Sequence, residues 1–344
     1  MSRVGMLSFR LGRSDGVSVE ARKWTEALRA LGHDVITIAG EGPVDVLVPG
    51  LALSAKAPPA PSELREALGD LDVVVVENLA SLPLNVRARE VLYDVLEGRD
   101  ALFRHHDLPW QREHLAHLEG PRDAPTWRHV TINERSRLEL LERGIEATTI
   151  YNHFDCDPPA GRREETRAAL GVTTQPVVLA PTRALARKNI AGGLQLAEQL
   201  GALFWLLGPA EDGYDDELSQ LLARATTPLR RGLSEGASVH DAYAACDLVV
   251  MSSYWEGFGN PTIESITHRR PLALYPYPVS EELRAMGLAF FDLDDVEGLR
   301  TVLQRPDDAT MRANLEVVRR RLNLARLPEV LASHWCFWGF ASDQ

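Results

Sequence analysis

Short apolar runs alternate along the chain with longer segments that are apolar on one face only. "VGMLSF" is followed by the helix-like "VSVEARKWTEALRALG" and then "DVITIAG"; "DVVVVE", "ALFRHH", "HVTIN" and "ATTIYN" continue the series, separated by polar or helical stretches. Apolar runs joined by helices predict parallel strands covered on both faces. That is an α/β doubly wound layer. After Asp155 the polar, proline-rich "CDPPAGRREE" reads as a hinge, and a second series follows with "PVVLAPT", "ALFWLLG", "DLVVMSS" and "PLALYPY". The pattern predicts two Rossmann-like domains, 1–155 and 156–325. The segment 326–344 is helix-like and aromatic, and Trp335, Phe337, Trp338 and Phe340 are expected to pack it at the domain seam, with burial within one domain as the alternative.

The length of 344 residues agrees with two domains. A balance of 37 basic against 49 acidic side chains, net −12, argues against nucleic acid or an anionic membrane as a partner. Only three of the cations are lysines, Lys23, Lys56 and Lys188, which draws attention to where each one sits. Three cysteines without C-x-x-C spacing suggest a reducing compartment and no zinc site. No run approaches membrane-spanning length and the start lacks a signal-peptide pattern, so a cytoplasmic protein is expected.

In doubly wound sheets ligands sit beyond the carboxyl ends of the strands, and four such loops carry unusual chemistry. In "RLGRSDGVSVE" Gly12 and Gly16 permit close backbone approach at a helix start; the alternative is an ordinary turn with Ser14 or Asp15 as cap. In "FRHHDLPW" strand alternation sends one of His105 and His106 toward the ligand side, where a ring bonds a hydroxyl or an oxyanion. In "PTRALARKNIAGG" Arg183 and Lys188 stand beside a helix N-terminus, the makings of a diphosphate site, with Arg187 expected to be solvated. In "YWEGFGNPTIES" two glycines separate Glu256 from Glu264, with Asn260 and Pro261 read as N-cap and first helical residue. A dinucleotide fingerprint would need glycine where Thr262 stands. Two carboxylates flanking free amides suit a sugar nucleotide instead.

"EGFGNPTIE" resembles the E-x7-E motif of the retaining GT-B glycosyltransferases, family 4 in particular. "DGVSVEARKWTEALRALGHDV", "RHHD", "YNHFD" and "PTRALARK" resemble further motifs of that family in its order and spacing. The resemblance implies a GT-B fold, two Rossmann-like domains facing a cleft with the last helix crossing back to the first. It implies that Arg183 and Lys188 bind the donor diphosphate and that Glu264 binds the ribose hydroxyls. Glu256, with the amides of Phe258, Gly259 and Asn260, would hold the donor sugar. His106 would face the transferring sugar, and Gly16 would lie close to the phosphates. Two departures stand out: Thr182 and His153 occupy positions that are glycine in the family.

The function implied is metal-independent transfer of a hexosyl group from a nucleotide-diphosphate sugar to a hydroxyl, with retention and without cofactor. The acidic triplets "DCD" and "DLDD" read as linker and helix cap, not metal ligands. Residues 1–150 hold 18 Lys/Arg and 23 Asp/Glu, a net of −5, which favours a small soluble acceptor over a lipid. The first loop also resembles that of enzymes making glycosylated glycerates, so Arg10, Arg13, Asp15 and His105 are candidate acceptor contacts. Two other classes remain open: a sugar-nucleotide isomerase or epimerase of the same shape, and a noncatalytic nucleotide-sugar-binding protein.

Overall fold

The computed structural model describes residues 1–13, 15–305 and 308–340; Ser14 and the final residues of the expected 326–344 segment lie outside them. The chain divides into two units: Met1–His153 with the segment from Leu324 onward, and Phe154–Asn323.

The first unit holds a seven-stranded sheet in the order β3-β2-β1-β4-β5-β6-β7, every pair parallel. Its strands are β1 (Arg3–Arg10), β2 (Asp34–Glu41), β3 (Val46–Leu47), β4 (Val73–Glu77), β5 (Ala101–His105), β6 (Trp127–Thr131) and β7 (Ala147–Thr149). The second unit holds six parallel strands in the order β10-β9-β8-β11-β12-β13. These are β8 (Val177–Ala180), β9 (Leu203–Leu206), β10 (Leu229–Arg231), β11 (Leu248–Met251), β12 (Leu272–Leu274) and β13 (Phe291–Asp292). Each sheet is covered on both faces by an apolar cluster, which is why its central strands read as continuous apolar runs. In each unit the strand order reverses once, between β1 and β4 and between β8 and β11, and that reversal opens a crevice at the carboxyl ends. Among the described residues no helix is long and apolar enough to cross a membrane.

Strand alternation places Val73, Val75 and Leu102 on the face that buries Trp24 of the first helix, Gly16–Ala30, while Val74, Val76 and Phe103 join the opposite cluster. Trp335, Trp338 and Phe340 belong to the Trp24 cluster, and the last helix, Leu327–Phe337, packs on the first. Positions 335 and 338 share a helical face, and Gly339 (φ 80°) turns the chain back so that the Phe340 N–H donates to the Trp335 carbonyl at 3.2 Å. The expectation for Phe337 is corrected: it falls off that face and is 80% exposed. Trp335→Ala is therefore expected to lower the stability of the first unit by about 3–5 kcal/mol. Phe337→Ala should change it by less than about 0.5 kcal/mol. Urea titrations of the two variants measure both.

Candidate active site

In the second unit the loops that follow β8 and β11 flank the strand-order reversal and are braced against each other. The Ser252 hydroxyl donates to the Lys188 carbonyl at 3.0 Å, the Tyr254 N–H to the Arg187 carbonyl at 3.0 Å, and Arg187 Nη1 to the Trp255 carbonyl at 2.9 Å. At their centre Lys188 Nζ donates to Glu256 Oε1, both side chains being buried, and Arg187 Nη1 stands 3.4 Å from Glu256 Oε2. Arg187 is thus a bracing residue, not the solvated one expected. Burial pushes the Glu256 carboxyl up, but Lys188, Arg187 and Ser253 outweigh it and hold the group below the usual carboxylate range. Burial lowers the Lys188 ammonium, with Glu256 opposing.

Arg183 lies at the same mouth, about one-third exposed, with Nη1 donating to Glu211 Oε2 at 2.7 Å. Its loop is fixed from the β9 side: the Ala184 N–H donates to the Pro209 carbonyl at 2.8 Å and the Gly208 N–H to the Thr182 carbonyl at 3.0 Å. Gly208 is required there, because a Cβ would run into the Arg183 backbone. Asn189, in the left-handed region at φ 46°, caps the helix Ile190–Leu200 by accepting from the Gly192 N–H at 3.1 Å. Lys188 therefore stands at a helix N-terminus, where anions are favoured, with Arg183 near enough to lower its ammonium further.

The glycines of "EGFGN" are explained by Tyr277. Its hydroxyl donates to the Phe258 carbonyl at 3.0 Å and lies 3.1 Å from Thr262 Oγ1, and a Cβ on Gly259 would collide with it. Gly259 is also left-handed, at φ 84°, and is itself the N-cap of the helix Asn260–Thr267. Asn260 is consequently the first helical residue, not the cap. About one turn into that helix, Glu264 Oε2 accepts at 2.8 Å from the hydroxyl of the fully buried Tyr243, whose ring stacks on His268 at 4.3 Å. Phe258 is buried and stacks on Phe154 at 5.9 Å.

In the first unit the sheet ends in a buried charge network. The β4–β5 register sets Glu77 beside Arg104, on the face that carries the first helix. Arg104 Nη1 donates to Glu77 Oε1 at 3.1 Å, while Nη2 lies 3.2 Å from Asn152 Oδ1 and 3.4 Å from Glu20 Oε2. Its guanidinium lies 4.4 Å from the centre of the Trp24 ring. Lys23 Nζ donates to Glu20 Oε1 and to the His153 carbonyl, both at 2.6 Å. His106 Nε2 is 2.7 Å from Glu77 Oε2, and the His106 N–H donates to Asn78 Oδ1 at 3.1 Å. Burial raises the Glu77 carboxyl, yet Arg104 and His106 together bring it below its ordinary value. Sequence reasoning missed Glu20, Lys23, Glu77 and Arg104; the signal was a charge inside each of two otherwise apolar strands.

His105 is corrected as an acceptor contact. It points to the Phe103 side, is fully buried, and both ring nitrogens are engaged, Nδ1 with Ser81 Oγ at 2.6 Å and Nε2 with His129 Nδ1 at 2.9 Å. Asp15 caps the first helix, accepting from the Ser18 N–H at 3.2 Å, and lies 3.4 Å from Arg10 Nε. Arg13 pairs with Glu41 at 2.8 Å. Gly16 opens the first helix, and no described residue lies within 4 Å of the position of a Cβ there.

Two parallel Rossmann-like units are the architecture of the GT-B glycosyltransferases. Among solved structures, Anabaena HepE in complex with UDP-glucose is 16% identical at a TM-score of 0.74, covering 98% of this chain and 100% of that one. A sucrose-phosphate synthase from Thermosynechococcus elongatus is 15% identical at 0.74, covering 99% and 100%. In sequence the chain is 25% identical to a mannosylglucosylglycerate synthase of Thermotoga maritima over 96% of this chain and 99% of the relative. It is 24% identical to the Petrotoga mobilis enzyme of that name over 84% and 86%. No protein-family profile matches the chain. Together these findings support a glycosyltransferase of GT-B fold.

Two stability outcomes follow from the charges. Removing one partner of a buried ion pair strands the other, so Glu256→Ala should destabilise by about 3–5 kcal/mol. Arg183→Ala, at a partly exposed pair, should cost no more than about 1 kcal/mol. Chemical denaturation separates the two. Burial lowers the His153 imidazole to about 4, and its Nδ1–H donates to the Tyr151 carbonyl at 2.8 Å. Because the unfolded ring takes up a proton first, stability is lost as pH falls from the ordinary value of 6.5 toward 4. The loss between pH 7 and 5 should be about 2 kcal/mol, and His153→Gln should abolish that part of the slope in urea titrations.

Proposed function

We propose that the chain is a retaining, metal-independent hexosyltransferase of family 4 type, acting in the cytoplasm on a nucleotide-diphosphate sugar and a small soluble acceptor. The observation that carries this reading is the braced pair of loops at the β8/β11 reversal, which joins Lys188 and Arg187 to Glu256, the first glutamate of E-x7-E, beside a helix N-terminus, with Arg183 nearby and Glu264 in the helix that follows. Arg183 and Lys188 neutralise the departing diphosphate, whose charge grows as the bond to the anomeric carbon breaks. Glu264 takes the ribose hydroxyls, and Glu256 with the amides of Phe258, Gly259 and Asn260 takes the sugar. His106 faces the transferring sugar, and Gly16 lets the first helix approach the phosphates.

The acceptor oxygen forms the new bond on the face the leaving group vacates, and its proton passes to a departing phosphate oxygen. The acceptor is an anionic glycerate-class hydroxy acid. Support for this comes from the two relatives, whose name describes a glycosylated glycerate, and from Arg10 and Arg13 on the loop after β1. Arg13 is half-exposed, so its carboxylate partner is readily exchanged for a ligand's.

The test is a panel of UDP-, GDP- and ADP-sugars with and without EDTA, following free nucleotide. One donor should be turned over whether or not EDTA is present, faster with glycerate or a glycosylated glycerate added, and the product's anomeric configuration should match the donor's. Arg183→Ala and Glu256→Gln should each lower turnover by roughly 100- to 1,000-fold. A changed sugar nucleotide without free nucleotide would identify an isomerase. Absence of donor binding by calorimetry would overturn the enzyme reading.

A further inference from the structure

The buried network in the first unit fixes more than the position of His106. Glu77 shares its two oxygens between Arg104, at 3.1 Å, and His106 Nε2, at 2.7 Å. The cluster around it contains two carboxylates, Glu20 and Glu77, and two cations, Lys23 and Arg104, whose four charges cancel among themselves. A carboxylate only accepts, which puts the ring's hydrogen on Nε2. The backbone is fixed as well, since Asn78, left-handed at φ 60°, accepts from the N–H groups of His106 and Asp107 at 3.1 and 3.3 Å. Among the described residues the other ring nitrogen, Nδ1, has no hydrogen-bond partner, and the side chain keeps 7% of its surface exposed.

We infer that Glu77 is the positioning residue for His106, holding it as the Nε2–H tautomer so that Nδ1 is presented as a hydrogen-bond acceptor. Such a ring accepts from a hydroxyl and repels an unprotonated phosphate oxygen. This rests on the proposal that His106 faces the transferring sugar, and gives that contact its polarity: His106 reads a hydroxyl and not a phosphate oxygen. Arg104 acts one step further back by keeping Glu77 ionised and turned toward both partners. Glu77→Gln then has a specific consequence. Arg104 can only donate, so it claims the amide oxygen; the amide NH2 is left facing His106, which must accept at Nε2 and move its proton to Nδ1.

The experiment is a long-range 1H–15N spectrum of the histidine-labelled full chain, with the His106 ring assigned by its disappearance in His106→Ala. The wild type should show a protonated ε nitrogen and an unprotonated δ nitrogen, and Glu77→Gln should show the reverse. Donor turnover in Glu77→Gln should fall by roughly 10- to 100-fold, the span of one charge-assisted hydrogen bond, with unchanged far-UV circular dichroism. A wild-type ring protonated at Nδ1, or averaging between tautomers, overturns the inference without any substitution, so a poorly folding variant leaves it falsifiable. Wild-type turnover in Glu77→Gln with an inverted tautomer overturns the positioning role. If the spectra are as expected but His106→Ala keeps full donor turnover, it is the sugar-facing reading of His106 that fails.

Discussion

In both sheets every strand runs parallel and both faces are covered, so charged side chains of the central strands are confined to the strand ends. This constraint organises the rest of the molecule. Where strand order reverses, neighbouring connections leave to opposite faces, and the loops that begin there are the ones free to meet over the sheet. In the second unit those are the loops after β8 and β11, and they hold each other through three hydrogen bonds to backbone carbonyls besides the Lys188–Glu256 pair. In the first unit the same geometry sets Glu77 at the end of β4 beside Arg104 in β5, one register step before the chain leaves the sheet.

Both units place ionised groups where water is scarce, and both solve the desolvation problem by sharing. Glu256 has Lys188 and Arg187; Glu77 has Arg104 and His106; Glu20 has Arg104 and Lys23. A buried pair of this kind contributes little net stability compared with apolar residues of the same volume, but removing one member leaves an uncompensated charge. What such pairs provide is direction. Each shared carboxylate has at least two fixed partners and hence one orientation, so the side chains around it are set before any ligand arrives. The shared guanidinium of Arg104 carries this furthest, linking two strands, the first helix and Asn152.

The layered fold was legible because buried parallel strands are long apolar words, and "DVVVVE" or "DLVVMSS" has no other comfortable reading. The short edge strands β3, β10 and β13 were not, since two or three residues carry no period. In the second unit the site was legible through residue scarcity and turn chemistry: one of three lysines at a helix start, and glycines between glutamates. Its partners were not. Nothing in sequence ties Lys188 to Glu256, or Tyr243 to Glu264, because such pairs are made by strand order and not by spacing. His105 and His106 show the limit well. Alternation said that they part company, and only the packing of Phe103 on one face and Trp24 on the other decides which goes where.

The cations of the second unit are held by carboxylates: Arg183 by Glu211, and Lys188 by Glu256. For the proposed donor site these two pairs are not equivalent. Glu211 and Arg183 are each about one-third exposed, so a diphosphate can replace one exposed carboxylate at little expense, with the helix amides after Asn189 adding to the exchange. Glu256 is buried and braced, and swinging it away would strand both its own charge and the Lys188 ammonium. In that proposal the carboxylate stays, and Lys188 would meet the leaving group in a geometry that Glu256 has already fixed. The same glutamate keeps its place at the entrance to the glycine turn, beside the amides that would carry the sugar. On the proposed donor site one buried carboxylate would thus couple the phosphate end of the donor to the sugar end, a physical reason for a glutamate to stand directly before "GFG".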